Sequence, residues 1–215
     1  MKPEMKKDNM PFKKLNEPLL EALERLGYEE PLPFQKKVLS RIKSGMNLFG
    51  IGPEGCGKTT TLIISTIQKL NSEAFEDAPR ALIFVKDKEA ALELEEKFKA
   101  FTRYMDLRVY AAYDQPAIDV QKGDIYEGVD IVIATPGKLN KLFKLSGINV
   151  SQLKLFIVDD AELLTGNRDY TNLIQIPEHI TKCQYLVFAN EFNNKIERLR
   201  DSFMAHSEKV EVKNS

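Results

Sequence analysis

The chain has 215 residues, a formal net charge of −1 and a hydrophobic share of 43%, enough for one sizeable domain with a real core. Its apolar runs, such as residues 81–85 and 131–134, are too short to cross a bilayer, so no membrane partner is expected. The absence of a basic excess argues against gripping nucleic acid by bulk charge and leaves room only for a local basic strip.

Residues 1–10 are lysine-rich, carry no apolar signal segment and are expected to be flexible, which leaves 11–215 as a single domain. Leu15, Leu19, Leu20, Leu23 and Leu26 recur at helical spacing, and Gly27 ends that helix. The rigid turn Pro31-Leu32-Pro33-Phe34-Gln35 leads into a second helix ending near Ser44. Residues 47–51 read as a short buried strand, followed by a glycine-rich turn and a helix over 58–70. A strand at 81–85 and a highly charged helix over 88–104 come next. Strands at 107–113 and 130–134 follow, then a helix over 137–145 and a strand at 154–158. A helix near 171–181, a strand at 184–189, a helix over 193–204 and a last strand near 208–212 complete the chain. Strands alternating with helices imply an α/β fold of three layers, with a mostly parallel sheet covered on both faces. In such sheets ligands gather at the carboxyl ends of the strands.

The turn after the first strand, Gly52-Pro53-Glu54-Gly55-Cys56-Gly57-Lys58-Thr59, matches the phosphate-loop pattern G-x-x-x-x-G-K-[ST]. Gly52, Gly55 and Gly57 allow the tight turn that aims main-chain N–H groups at phosphate oxygens, those of Cys56 and Thr60 among them. The helix that follows adds its positive dipole end. Lys58 is the candidate for the terminal phosphates, and Thr59 offers a hydroxyl to Mg²⁺. The competing reading is a glycine-rich turn that matches by accident.

The strand 154–158 runs into Asp159-Asp160-Ala161-Glu162. A buried strand delivering carboxylates at its end suits the Mg²⁺ side of a phosphate-loop site, with Asp159 holding the ion and Asp160 orienting or deprotonating a water. An acidic helix cap after a strand is the plainer alternative. Cys56 and Cys183 lack metal-ligand spacing and fit a reducing, cytoplasmic setting. His179 and His206 are isolated and receive no role. The charges of residues 88–104 read as a solvated helix laced with i,i+4 pairs rather than as a nucleic-acid edge.

Together these segments resemble the N-terminal RecA-like domain of a DEAD-box RNA helicase. Gly27-Tyr28-Glu29-Glu30-Pro31-Leu32-Pro33-Phe34-Gln35 resembles the Q motif, Ala134-Thr135-Pro136-Gly137-Lys138-Leu139 resembles the TPGR segment, and residues 159–162 and 188–191 occupy the places of Asp-Glu-Ala-Asp and Phe-Ser-Ala-Thr. The resemblance implies that Gln35 reads the adenine edge of ATP and that Phe12 is the aromatic residue stacking on the base. It also implies single-stranded RNA as a partner, with its backbone held at Thr135, Pro136, Gly137 and Lys138. Lys58, Asp159 and Asp160 then form the catalytic set for Mg²⁺-ATP.

The departures from that pattern bear on activity. The family's catalytic glutamate is the shorter Asp160, and its last aspartate is Glu162. Ala189-Asn190-Glu191 has lost both hydroxyls of Ser-Ala-Thr, so Glu162 and Glu191 are expected to repel each other. Residues 85–90 do not reproduce the threonine and arginine of the family's Pro-Thr-Arg-Glu-Leu, Ala111-Ala112-Tyr113-Asp114 replaces its Gly-Gly pair, and Leu32 stands for a threonine. In this family the arginine fingers come from a second RecA-like domain, or here from a partner chain, and such an arginine is worth about 10³–10⁵ in rate. The sequence ends where the first domain would hand over to a linker. The expectation is a chain that binds ATP or ADP and turns over very slowly alone. The alternative is a non-enzymatic nucleotide-sensing or scaffold module.

Overall fold

The computed structural model describes residues 12, 14–115, 117–165 and 167–213; the expectation for residues 1–10 lies outside them. Helices α1 (Glu17–Arg25) and α2 (Pro33–Lys43) precede β1 (Asn47–Ile51) and α3 (Lys58–Lys69). Then come β2 (Ala81–Phe84), α4 (Lys88–Thr102), β3 (Val109–Ala112), α5 (Ile118–Tyr126), β4 (Ile131–Ala134) and α6 (Pro136–Lys144). The chain continues through β5 (Leu155–Val158), α7 (Asn167–Gln175), β6 (Gln184–Ala189), the single-turn α8 (Asn194–Glu197) and β7 (Ser207–Glu211).

The strands form one sheet in the order β3-β4-β2-β5-β6-β1-β7, and every pairing is parallel. Strand alternation divides the apolar residues between two layers. Leu48, Ile83, Ile133, Ile157 and Phe188 pack with Leu19, Phe34, Leu62 and Phe98 from α1–α4. Phe49, Phe84, Val132, Val158 and Val187 pack with Ile125, Leu139, Leu173 and Ile196 from α5–α8. The sheet is therefore the middle of three layers, as expected from sequence.

Register sets the position of the site. Ile51 pairs with Ala189, Val158 with Val187, and Phe84 with both Val158 and Ala134. β1 and β6 thus end level with each other, two residues beyond the common end of β5, β2 and β4, and the segments leaving these strands lie side by side along one edge. The opposite edge is pinned by charge. Asp130, fully buried before β4, accepts from Arg80 Nη2 at 2.6 Å and from Arg108 Nε at 2.9 Å. Burial alone would raise the Asp130 carboxyl's pKa, but the Arg108 and Arg80 hydrogen bonds outweigh it and hold the value below its ordinary range.

Sequence periodicity misses α5. That helix contains Gly123 and buries only Gln121 and Ile125, so it carries no amphipathic stripe. The helix expected near 171–181 is α7, beginning at Asn167; past Gln175 the chain continues as a single 3₁₀ turn at Pro177–His179, since Pro177 cannot extend it. The helix expected over 193–204 shrinks to α8 and a 3₁₀ turn at Arg198–Asp201. Along α4, Lys97 pairs with Glu93 at 2.7 Å and Lys99 with Glu95 at 2.9 Å, the laced, solvated helix that its charges suggest. Among the described residues no helix is long and apolar enough to span a membrane.

Candidate functional site

The loop between β1 and α3 begins as a continuation of the sheet, with Gly52 N–H donating to the Ala189 carbonyl at 3.1 Å. It then turns through Gly55 at φ +77° and Gly57 at φ +97°, left-handed conformations that glycine adopts without steric cost. Gly57 caps α3, and Lys58, Thr59 and Thr60 form the first turn, where main-chain N–H groups have no helical partner. Thr59 and Thr60 are half-buried, as is Cys56, whose thiol pKa is raised by burial against the opposing pull of Lys58. A side chain at Gly52 would collide with Cys56 Sγ at 2.8 Å, so the loop is closely folded on itself.

Lys58 is buried, and its ammonium donates to the carbonyls of Gly52 at 2.6 Å and Pro53 at 3.0 Å, and to Asn190 Oδ1 at 2.8 Å. Gln35 is 2% exposed. Its carboxamide accepts from Leu32 N–H at 2.8 Å and reaches the Gly57 carbonyl at 3.5 Å, packing against the rear of the loop. Phe12 is buried with the α1–α4 layer. It lines a cavity of about 890 Å³ together with Pro31, Gln35, Leu39 and Ser65.

Asp159 and Asp160 leave the end of β5 beside this loop. Asp159 is 9% exposed, and its carboxyl pKa is pushed up to about 7 by burial first and by Asp160 second, with Lys58 pulling it down. Asp160 sits at φ +52°. Its pKa is also raised, by burial and then by Glu162, against Lys58 and Lys86. The expected repulsion between Glu162 and Glu191 does not organise this corner. Glu162 Oε1 instead accepts the main-chain N–H groups of Asn190 and of Glu191, the latter at 3.3 Å, while the Glu191 side chain is exposed. Main-chain donors, which any residue supplies, thus hold the Glu162 carboxylate.

The segment after β4 opens α6. Thr135 is its N-cap without a side-chain cap bond, and Pro136 is the first helical residue. Gly137 is exposed; a Cβ added there would come no nearer than 3.7 Å to another residue, at Asn172 Nδ2. Lys138 differs from its sequence expectation. Expected to lie with Thr135, Pro136 and Gly137 against an RNA backbone, Lys138 is 5% exposed, whereas Lys141 and Lys144 on the same helix lie at the surface. Burial lowers its ammonium pKa, and the exposed Asp114 carboxylate 4.0 Å away opposes that.

Two contacts were not readable from spacing. Asn190 meets Lys58 across 132 positions, and Gln35 meets Gly57 across 22. Only the parallel pairing of β1 with β6 and the packing of α2 on α3 bring them together.

A parallel sheet with a glycine-turned loop, a lysine at the following helix start and a buried carboxylate on a nearby strand end defines a phosphate-loop, RecA-like α/β domain. The DEAD/DEAH box helicase profile matches residues 32–199, and the chain belongs to that family. It is 31% identical over 206 residues to the ATP-dependent RNA helicase DeaD of Escherichia coli K12, covering 94% of this chain and 32% of that protein. It is 29% identical over 189 residues to the pre-mRNA-processing ATP-dependent RNA helicase PRP5 of Meyerozyma guilliermondii, covering 84% and 22%. Among solved structures, a DEAD box protein from the hyperthermophile Methanococcus jannaschii superposes with a TM-score of 0.84 at 21% identity, covering 95% of this chain and 55% of that one. An S. cerevisiae dbp5 variant bound to nup159, gle1, IP6 and ADP gives 0.80 at 17% identity, covering 93% and 53%. The chain spans a third or less of the length of the curated relatives it matches and about half of the solved ones.

Proposed function

We propose that residues 11–215 act as the Mg²⁺-ATP-binding first domain of a DEAD-box-type RNA helicase, holding RNA by its backbone and hydrolysing ATP weakly when alone. The observation that carries this reading is the buried Lys58 ammonium, held at the mouth of a loop whose glycines take the conformations a phosphate cradle needs. The donor set fits the nucleotide. Main-chain N–H groups of Gly55, Gly57 and the first turn of α3 take phosphate oxygens, with Lys58 as their cation. Gln35 and Phe12 line one cavity and receive the base, the carboxamide offering both donor and acceptor to adenine. Thr59 and Asp159 hold Mg²⁺. Among the described residues no three His, Cys, Asp or Glu side chains converge as a metal cage, which suits an ion that keeps its waters and leans on substrate phosphates. ATP supplies the phosphoanhydride, and Mg²⁺ offsets its charge. Asp160 orients the attacking water, with a reach one methylene shorter than glutamate's. Thr135 and Gly137 offer RNA phosphates the open N-terminus of α6. Cys56 and Cys183, both free thiols, fit a reducing cytoplasm.

A second reading, a nucleotide-sensing or scaffold module without turnover, draws on residues 189–191, where both hydroxyls of the family's Ser-Ala-Thr are missing and main-chain N–H groups hold the Glu162 carboxylate. Titration of Mg²⁺-ATP and Mg²⁺-ADP, with and without single-stranded RNA and with phosphate release followed in parallel, tests both. Binding that Lys58→Ala abolishes is expected, with slow release. RNA that raises ATP affinity favours the helicase reading, and indifference to RNA favours the sensor. No adenine-nucleotide binding by the folded chain would remove both.

A further inference from the structure

A lysine ammonium has three N–H donors, and Lys58 has all three committed. Two go to Gly52 and Pro53, carbonyls of the very loop that carries it. The third goes to Asn190 Oδ1, on the segment leaving β6. Asn190 is itself fixed from the other side, because its main-chain N–H donates to Glu162 Oε1 in the turn after β5. A continuous path of hydrogen bonds therefore runs from the acidic turn through Asn190 to the phosphate-loop lysine.

A phosphate oxygen can gain Lys58 only by taking the place of one of these acceptors. The two carbonyls belong to the fold of the loop. Asn190 is the acceptor from outside it, and a neutral carboxamide competes with a phosphate on nearly equal terms only because it is already in place. We propose that Asn190 is a positioning residue that holds the Lys58 ammonium back from polyphosphate and so sets the affinity for ADP and ATP, with Glu162 as its anchor. The inference rests on the nucleotide reading above and adds an element to it: the grip of the site on its ligand is governed by residue 190, where a side chain lacking a hydrogen-bonding group would leave one Lys58 N–H free.

The test is calorimetric titration of Mg²⁺-ADP and Mg²⁺-ATP into the full chain as wild type, Asn190→Ala and Asn190→Asp, with thermal unfolding of each protein alone. Asn190→Ala is expected to bind both nucleotides roughly three- to tenfold more tightly, the span of one net hydrogen bond. Asn190→Asp is expected to bind more weakly than wild type, because a full negative charge strengthens the tether and repels the phosphates. A residue that only supports the fold would move both variants in the same direction, following their melting temperatures. Should Asn190→Ala melt too low for titration, Asn190→Ser, whose hydroxyl is too short to reach the ammonium, carries the same expected gain. Unchanged or weaker binding by the alanine or serine variant overturns the proposal and leaves the nucleotide site standing. Absence of binding by wild type overturns the proposal and the nucleotide reading together.

Discussion

The carboxamide of Gln35 lies against the main chain of Gly57, its nitrogen 3.5 Å from the Gly57 carbonyl oxygen, while its own oxygen is held by Leu32 N–H at 2.8 Å. One side chain thereby caps α2, supports the phosphate loop and borders the cavity that Phe12 lines. On the proposed nucleotide reading, base recognition and loop geometry would share this residue. Gln35→Ala should weaken Mg²⁺-ADP binding by about tenfold or more, the scale set by unpairing a base-reading amide, and should erase any preference for adenine over guanine nucleotides. Competition between the two nucleotides, read by fluorescence of a labelled ADP, checks both effects. An intact adenine preference in the variant would show that the base is read elsewhere.

Gly57 is constrained twice over. Its φ of +97° disfavours any side chain, and a Cβ there would sit 2.8 Å from Gln35 Nε2. Gly45, at φ +88°, has nothing within 4 Å of the same position. Alanine at residue 45 thus carries the backbone cost alone, about 1 kcal/mol, whereas alanine at residue 57 adds a steric conflict of about 1–3 kcal/mol. Since 1 kcal/mol moves the melting temperature of a chain this size by about 2–4 °C, Gly57→Ala should melt several degrees below Gly45→Ala. Equal melting temperatures would mean that Gln35 swings aside freely.

The raised pKa of Asp159 makes stability depend on pH in a defined sense. Its carboxyl titrates near the ordinary 3.8 in the unfolded chain and at about 7 in the fold, through burial first and Asp160 second. Between about pH 4 and 7 the folded state holds a proton that the unfolded chain has released, so stability from this group falls as pH rises through that window and stays low above it. Asp159→Asn removes the penalty. It should raise the melting temperature at pH 8 by a few degrees or more and progressively less toward pH 4. The same variant should lose Mg²⁺-dependent nucleotide binding. A gain independent of pH would refute the assignment.

At the far edge of the sheet the sign reverses. Asp130 is held below its ordinary pKa by Arg108 and Arg80 in spite of burial, so its contribution is present above about pH 4 and is lost as the pH falls through the lowered value. Asp130→Asn leaves Arg80, itself 2% exposed, without its countercharge. Breaking one partner of a buried pair costs about 3–5 kcal/mol, and a fall in melting temperature of roughly ten degrees should follow. Calorimetry near neutral pH and again near pH 3 should show the difference from wild type shrinking in acid.

Much of the fold was legible because its signals are local. Residues 47–51, 81–84 and 155–158 are apolar runs at strand length, and each stands before a turn or charged segment that punctuates it. The loop from Gly52 to Thr59 carries its chemistry in the spacing of glycines and lysine, which a main chain turning onto a helix start requires. The α5 segment failed to announce itself because it buries almost nothing of its own. The burial of Lys138 was not legible because its place in the Thr135-Pro136-Gly137-Lys138 motif does not say whether a neighbouring element covers it.

Sequence alone therefore determined the layered α/β plan, the phosphate loop and the acidic strand end, all short-range patterns dictated by side-chain period and backbone freedom. Tertiary structure alone decided that Asn190 holds Lys58, that Gln35 backs the loop, and that main-chain N–H groups take the Glu162 carboxylate. Those contacts join residues 22 to 132 positions apart, and their geometry follows from the parallel register of the sheet and the packing of its helices, which no local pattern encodes.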